Sequence, residues 1–326
     1  MIYLDYAATT PVAAEVAAAM AECLTADGVF GNASSAHGFG RAAGERVERA
    51  RNQLADALNA DVREIAFTSG ATESNNLGIL GAARFYAERK GRHLITSRIE
   101  HRAVVDTFKA LETEGFEVTW LEPVDGIVTP EQLDVALRED TALVSLMHVN
   151  NELGVVHDIA GLGALCRNNG TLFHVDAAQS FGKLPIDWAA AEIDLLSISG
   201  HKIYGPKGVG ALVVRRNPRV WLAPLLFGGG QERGLRSGTL ATHQIVGLGV
   251  AAELAQVRLN ADAAKMNRLN QHFVKGLRFT GLLLNGNQAQ HLPNIVNFSV
   301  EGVHGEALLA GLPDLAVATG SACSSA

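Results

Sequence analysis

Residues 199–208 read Ser199-Gly200-His201-Lys202-Ile203-Tyr204-Gly205-Pro206-Lys207-Gly208, and they follow the short apolar run 194–198. Such a run, bounded by turn residues, reads as a buried strand. Lys202 therefore stands just past a strand end, and open α/β sheets hold their ligands in the crevice outside those ends. Two readings fit a lysine there. It is a solvated loop lysine, or it is a Schiff-base lysine carrying pyridoxal phosphate (PLP), with Ser199 and His201 helping to hold the phosphate. The segment alone leaves both open, so the other strand ends become the test.

Polar groups gather at those ends too. Ser69-Gly70-Ala71-Thr72 lies between an apolar run and a helical stretch, where backbone N–H groups and the Thr72 hydroxyl face an anion site or serve as an ordinary cap. Asn150-Asn151-Glu152 closes the run 141–149, and Asp176 closes the run 171–175. A carboxylate at such a place caps a helix or pairs with a buried cation. The pyridinium nitrogen of PLP is such a cation, and a neighbouring carboxylate keeps it protonated so that the ring draws off electrons. His101 follows the run 93–97, where it either stacks on a cofactor ring or plays a structural part. Four strand ends of one sheet with similar polar clusters favour the cofactor reading.

The elements that would position these groups alternate. Strands are expected over 65–68, 93–97, 118–121, 141–149, 171–175 and 194–198. Helices are expected over 71–88, from His101 onward, and over 130–138 and 159–168. Near-continuous apolar strands indicate a parallel sheet covered on both faces. Residues 208–215 read as one more strand, with a parallel or an antiparallel sense both open. Thr10-Pro11 has the cap and first-turn chemistry of a helix running to about residue 25, and 41–59 reads as a long helix. Between them lies a glycine- and serine-rich loop, 28–40. Its glycines superficially match a dinucleotide fingerprint, but the spacing is wrong and no strand precedes it. Residues 241–277 form one long helix. Beyond it come short strands at 282–284, 295–299 and 315–318 and a helix at 306–310, the composition of a smaller α+β layer. The expected division is a large domain over 13–250 and a small domain from 1–12 and 251–326.

Composition narrows the function. The 326-residue chain is 48% hydrophobic and 19% charged, enough apolar content for an ample core. A formal charge of −7 supplies no basic field for nucleic acid or an anionic membrane. No apolar run is long enough to span a bilayer, and the N-terminus enters a structured segment without a basic leader region, so a cytoplasmic location is expected. Cys23, Cys166 and Cys323 are widely spaced and match neither a disulfide framework nor a metal-ligand pattern.

Taken together, the motifs resemble those of PLP-dependent cysteine desulfurases of the iron–sulfur cluster assembly type, within the class V aminotransferase group. The matching segments are Tyr3-Leu4-Asp5-Tyr6-Ala7-Ala8-Thr9-Thr10-Pro11, Thr68-Ser69-Gly70-Ala71-Thr72-Glu73-Ser74-Asn75 and Glu100-His101, then Met147-His148-Val149-Asn150-Asn151-Glu152. Further along stand His174-Val175-Asp176-Ala177-Ala178-Gln179-Ser180, the Lys202 segment, Arg236-Ser237-Gly238-Thr239 and Gly320-Ser321-Ala322-Cys323. They cover the chain end to end. The resemblance implies PLP fold-type I architecture: a large domain with a mostly parallel seven-stranded sheet, a small domain, and a homodimer. It implies that Lys202 carries PLP, Asp176 pairs with the pyridinium nitrogen, and His101 stacks on the ring and joins in proton transfer. Gln179 is implied at the ring hydroxyl with Asn151 near it, and Ala71, Thr72, Ser199 and His201 at the phosphate. Thr239 is implied to reach the phosphate of the partner subunit's cofactor.

Cys323 is the implied second catalytic residue, in a small-residue loop of the Ser-Ala-Cys form. Its thiolate would take sulfur from L-cysteine as a persulfide, leaving alanine, for delivery to an iron–sulfur scaffold or other acceptor protein. Selenocysteine lyase and PLP transaminase are the rivals with the same lysine and aspartate, and the Ser-Ala-Cys loop argues against both. A third alternative is a catalytically impaired platform for sulfur-transfer partners. It arises because the sequence stops at Ala326, shortly after Cys323. Family members continue to an arginine that pairs with the substrate carboxylate, so a small domain cut short is the expectation.

Overall fold

Seven strands form the sheet that the apolar runs anticipate. The computed structural model describes residues 1–277 and 280–320. In chain order its first elements are β1 (Ile2–Tyr3), α1 (Ala14–Ala21), α2 (Gly38–Leu58), β2 (Ile65–Thr68), α3 (Ala71–Tyr86) and β3 (His93–Ser97). Next come α4 (Arg102–Thr113), β4 (Glu117–Leu121), α5 (Pro130–Ala136), β5 (Thr141–Met147), α6 (Ile159–Asn169) and β6 (Leu172–Asp176). The large sheet ends with β7 (Leu195–Ser199) and β8 (Gly210–Val214), followed by the long helix α7 (Thr242–Gly276). The last elements are β9 (Leu282–Leu284), β10 (Phe298–Val300), α8 (Gly305–Ala310) and β11 (Leu315–Ala316).

The strand order is β2-β8-β7-β6-β5-β3-β4. Only β8 runs against its neighbours, pairing antiparallel with both β2 and β7. All other pairs are parallel. Because successive strand residues face opposite sides, Leu94, Leu143, Leu195 and Leu212 pack under α3 and α4. Their neighbours Ile95, Val144, Leu196 and Val213 join the second core with α2, α6 and α7. Asp176 keeps the parity of Leu172 and His174, on the α3 side of the sheet. A sheet buried on both faces needs apolar residues in both registers, which is why its strands read as continuous runs.

Two helix starts differ from the sequence expectation. Thr10 does not cap α1: its Oγ1 donates to His201 O at 3.0 Å and accepts from Tyr204 N at 2.8 Å. The helix then begins at Ala14 behind an uncapped Ala13. Helix α2 starts earlier than its charge pattern indicates, because His37 Nδ1 accepts from Gly40 N and caps it. The glycine-rich loop thus gives up its last residues to the helix. At the other end of the chain, β1 pairs in parallel with β11.

Candidate active site

Three strand ends and one helix start meet around Lys202. Strands β6 and β7 lie side by side, with Asp176 opposite Ser197, so Asp176 and the Ser199–Lys202 turn leave the sheet at the same edge. Gly210, on β8, allows a close approach: a Cβ there would lie 2.7 Å from Gly70 Cα. The Ser69–Gly70 turn is thereby drawn over β8 and beside Ser199, whose Oγ lies 4.0 Å from where a side chain on Gly70 would begin. Helix α3 starts there with no side chain capping it. Its first N–H groups, including those of Ala71 and Thr72, meet the Ser199 hydroxyl in a place suited to an anion. Glu73 steadies this start. It accepts from Ser69 N at 2.8 Å and takes Arg236 in two hydrogen bonds of 2.7 and 3.2 Å.

The N-terminal segment closes over the lysine. Lys202 Nζ donates to Ala7 O at 2.5 Å and Ala8 O at 2.8 Å. Gln179, 4% exposed, donates from Nε2 to the same Ala7 carbonyl at 2.8 Å. His201 Nδ1 meets Thr9 Oγ1 at 3.1 Å. Burial, then the positive charges of Lys202, Lys207 and Lys183, push the His201 ring down to about 4, so it is neutral at physiological pH. Burial raises the Asp5 carboxyl while Lys202 pulls it back. Just beyond, Tyr204 adopts a φ of 63°, rare for a bulky residue. Its N–H is held by Thr10 and its carbonyl by Ala13 N at 2.9 Å, so the N-terminal segment fixes the turn that presents Lys202.

Asp176 is 5% exposed. Its Oδ1 accepts from Ala178 N at 2.9 Å and its Oδ2 from Asn75 Nδ2 at 2.7 Å. Among the described residues no cationic side chain is paired with it. A carboxylate has about four acceptor positions, so a cationic N–H can still be accepted, and a buried carboxylate calls for one. Glu100, at the end of β3, is also buried. Its Oε1 accepts from Met147 N at 2.9 Å while its Oε2 has no partner among the described residues. Burial, with the Asp176 charge adding to it, pushes the Glu100 carboxyl well up.

His101 caps α4, its Nδ1 accepting from Ala103 N at 3.1 Å. That bond leaves the ring proton of the neutral form on Nε2. Asn151 sits in the turn after β5, which Asn150 Oδ1 shapes by accepting from Glu152 N and Leu153 N. Thr239 is exposed, on the loop before α7. Cys323 lies outside the described residues. Sequence reasoning gave no role to Asn75, Glu100 or Lys183. Asn75 was detectable as a polar residue one helical turn after Ala71, on the buried face of α3.

A protein-family model for class-V aminotransferases matches residues 2–326. The chain belongs to that family. Cysteine desulfurase IscS of Shewanella baltica is 57% identical over 328 aligned positions, spanning 100% of this chain and 81% of the relative. A solved structure titled NifS-like protein superposes with a TM-score of 0.91 at 39% identity, over 96% of this chain and 85% of its own. Another, titled SspA in complex with cysteine, gives 0.89 at 41% identity, covering 100% and 91%. The family is PLP-dependent, and the donor set fits that group. A buried carboxylate with acceptor positions to spare suits the pyridinium, an uncapped helix start beside a hydroxyl suits the phosphate, and an amine at a strand end suits the aldehyde.

Proposed function

We propose that this protein is a PLP-dependent cysteine desulfurase that converts L-cysteine to L-alanine and supplies the sulfur for iron–sulfur cluster assembly. One observation carries the reading. The Lys202 amine and the buried Asp176 carboxylate close adjacent strands in a chain 57% identical along its length to a cysteine desulfurase.

Lys202 would hold the cofactor, Asp176 its ring nitrogen, and Gln179 its ring oxygen with Asn151 alongside. Ala71 N, Thr72, Ser199 and His201 would hold the phosphate. The bound cofactor supplies an electron sink for carbanion chemistry at the substrate. Asp176, oriented by the Asn75 and Ala178 N–H bonds, would hold a proton on the ring nitrogen. His101 would offer its Nε2 proton to the reaction, and its cap bond to Ala103 N orients the ring. In the sulfur-transfer step the Cys323 thiolate attacks the substrate sulfur. The substrate carbon–sulfur bond breaks, a sulfur–sulfur bond forms, and a proton replaces sulfur on carbon to give alanine. The products, alanine and a Cys323 persulfide, balance cysteine and a thiol.

The same reading places the enzyme in the cytoplasm as a homodimer, with Thr239 serving the partner subunit's cofactor and an iron–sulfur scaffold protein taking the persulfide. Among the described residues no helix is long and apolar enough to cross a membrane. It also divides the chain into 13–250 and a small domain of 1–12 with 251–326, supported by the pairing of β1 with β11. The test is product analysis with L-cysteine and a reductant. Equal amounts of alanine and sulfide, lost in Lys202→Ala, are expected. Pyruvate in place of alanine would contradict the assignment.

A further inference from the structure

Lys183 is the second amine of the site, and nothing above gives it a task. It lies on the turn after β6, where Phe181 N donates to Ala177 O, and Lys183 N and Leu184 N donate to Ser180 O. Gly182 in this turn has a φ of 72°, and a Cβ there would come within 2.9 Å of Ile203 Cγ2. The turn is therefore seated against the residue that follows Lys202. Lys183 Nζ donates to Gln179 Oε1 at 3.2 Å. Gln179 Nε2 in turn donates to Ala7 O, which also accepts from Lys202 Nζ. Among the described residues no carboxylate pairs with Lys183. Burial, then the charge of Lys202, pushes the Lys183 amine down to about 7.

An amide turned over exchanges its donor and acceptor ends while keeping nearly the same shape, so packing alone fixes its sense poorly. A lysine beside it decides the matter in its ammonium form, which only donates, and here Lys183 Nζ is the donor to Gln179 Oε1. With Oε1 held toward Lys183, Nε2 faces Ala7. One of its two N–H groups serves that carbonyl, and the other is left to donate into the site. We propose that Lys183 is a positioning residue that locks the Gln179 amide with its donor end toward the cofactor's ring oxygen. This rests on the reading, given above, that Gln179 contacts that oxygen.

The experiment is titration of cofactor-free protein with PLP, following affinity and the absorbance maximum of the bound form. It compares the wild type with Lys183→Met, Lys183→Arg, Gln179→Ala and the double variant Lys183→Met/Gln179→Ala. Loss of one oriented hydrogen bond corresponds to about tenfold in affinity. Lys183→Met is expected to bind PLP about tenfold more weakly with a shifted maximum, and Lys183→Arg to restore both. In the Gln179→Ala background the Lys183 change should then add less than about twofold. Two results would overturn the inference alone: wild-type affinity and spectrum in Lys183→Met while Gln179→Ala binds weakly, or an equal loss in both backgrounds. Wild-type binding by Gln179→Ala would overturn the role of Gln179 and the inference with it. Should Lys183→Met fail to fold, Lys183→Gln takes its place in the same comparison.

Discussion

Replacing His157 with glutamine should make the protein relatively more acid-resistant. His157 and His148 lie buried behind the Asn151 turn, linked by the bond from His157 N to His148 O at 2.9 Å. Among the described residues, both ring nitrogens of His157 lack hydrogen-bond partners, as does Nδ1 of His148. Burial pushes both rings from 6.5 to about 4. Below about pH 6.5 the unfolded chain takes up a proton that the folded His157 refuses, so stability falls as pH drops through that window. At about pH 5 the gap spans roughly 1.5 pH units, which corresponds to about 2 kcal/mol. Glu100 acts in the opposite sense, its raised carboxyl favouring the folded state as acid is added, but it is common to both proteins and cancels. Urea unfolding of wild type and His157→Gln near pH 8 and near pH 5 isolates the histidine. The cost of the substitution should shrink by about 2 kcal/mol at the lower pH. An equal cost at both pH values would refute the claim that His157 is neutral in the fold.

Asn75→Ala should destabilise the cofactor-free protein by about 2 kcal/mol in urea, because it leaves a buried carboxylate oxygen of Asp176 without its donor; no loss would mean that this bond is not made. Cys323→Ser should bind PLP and still respond spectroscopically to L-cysteine, yet release essentially no sulfide to a reductant. Retained turnover, or a persulfide mapped to Cys23 or Cys166, would remove Cys323 from the mechanism. Both of those cysteines are buried, and burial raises both thiols, Cys166 strongly.

The sheet was legible because its strands are buried on both faces: each appears as an apolar run, while the antiparallel sense of β8 had to come from its pairing. The site was legible through the polar residues that end those runs, Asp176 and Ser199 above all. Contacts between distant segments were not. Thr10 has the chemistry of a helix cap, and only the packing of the N-terminal segment over His201 and Tyr204 turns its hydroxyl elsewhere. His37, inside a glycine-rich stretch, gives no local sign of the helix that it caps. Arg51 pairs in a buried fork with Glu232, 181 residues away, and Glu232 also takes the Phe67 N–H. Lys183 looks like an ordinary turn lysine until the β6–β7 connection seats its turn against Ile203 and its amine on Gln179. Such groups are invisible to spacing rules because their partners are chosen by topology.

The central claim is that Lys202, and no other amine, carries the cofactor. Lys183 is the demanding control, since its lowered basicity also makes it a competent nucleophile near neutral pH. Borohydride reduction of the purified PLP-bound protein, followed by peptide mapping, reads the answer directly. The account predicts a single pyridoxyl group on Lys202; finding it on Lys183 or Lys207 would contradict it.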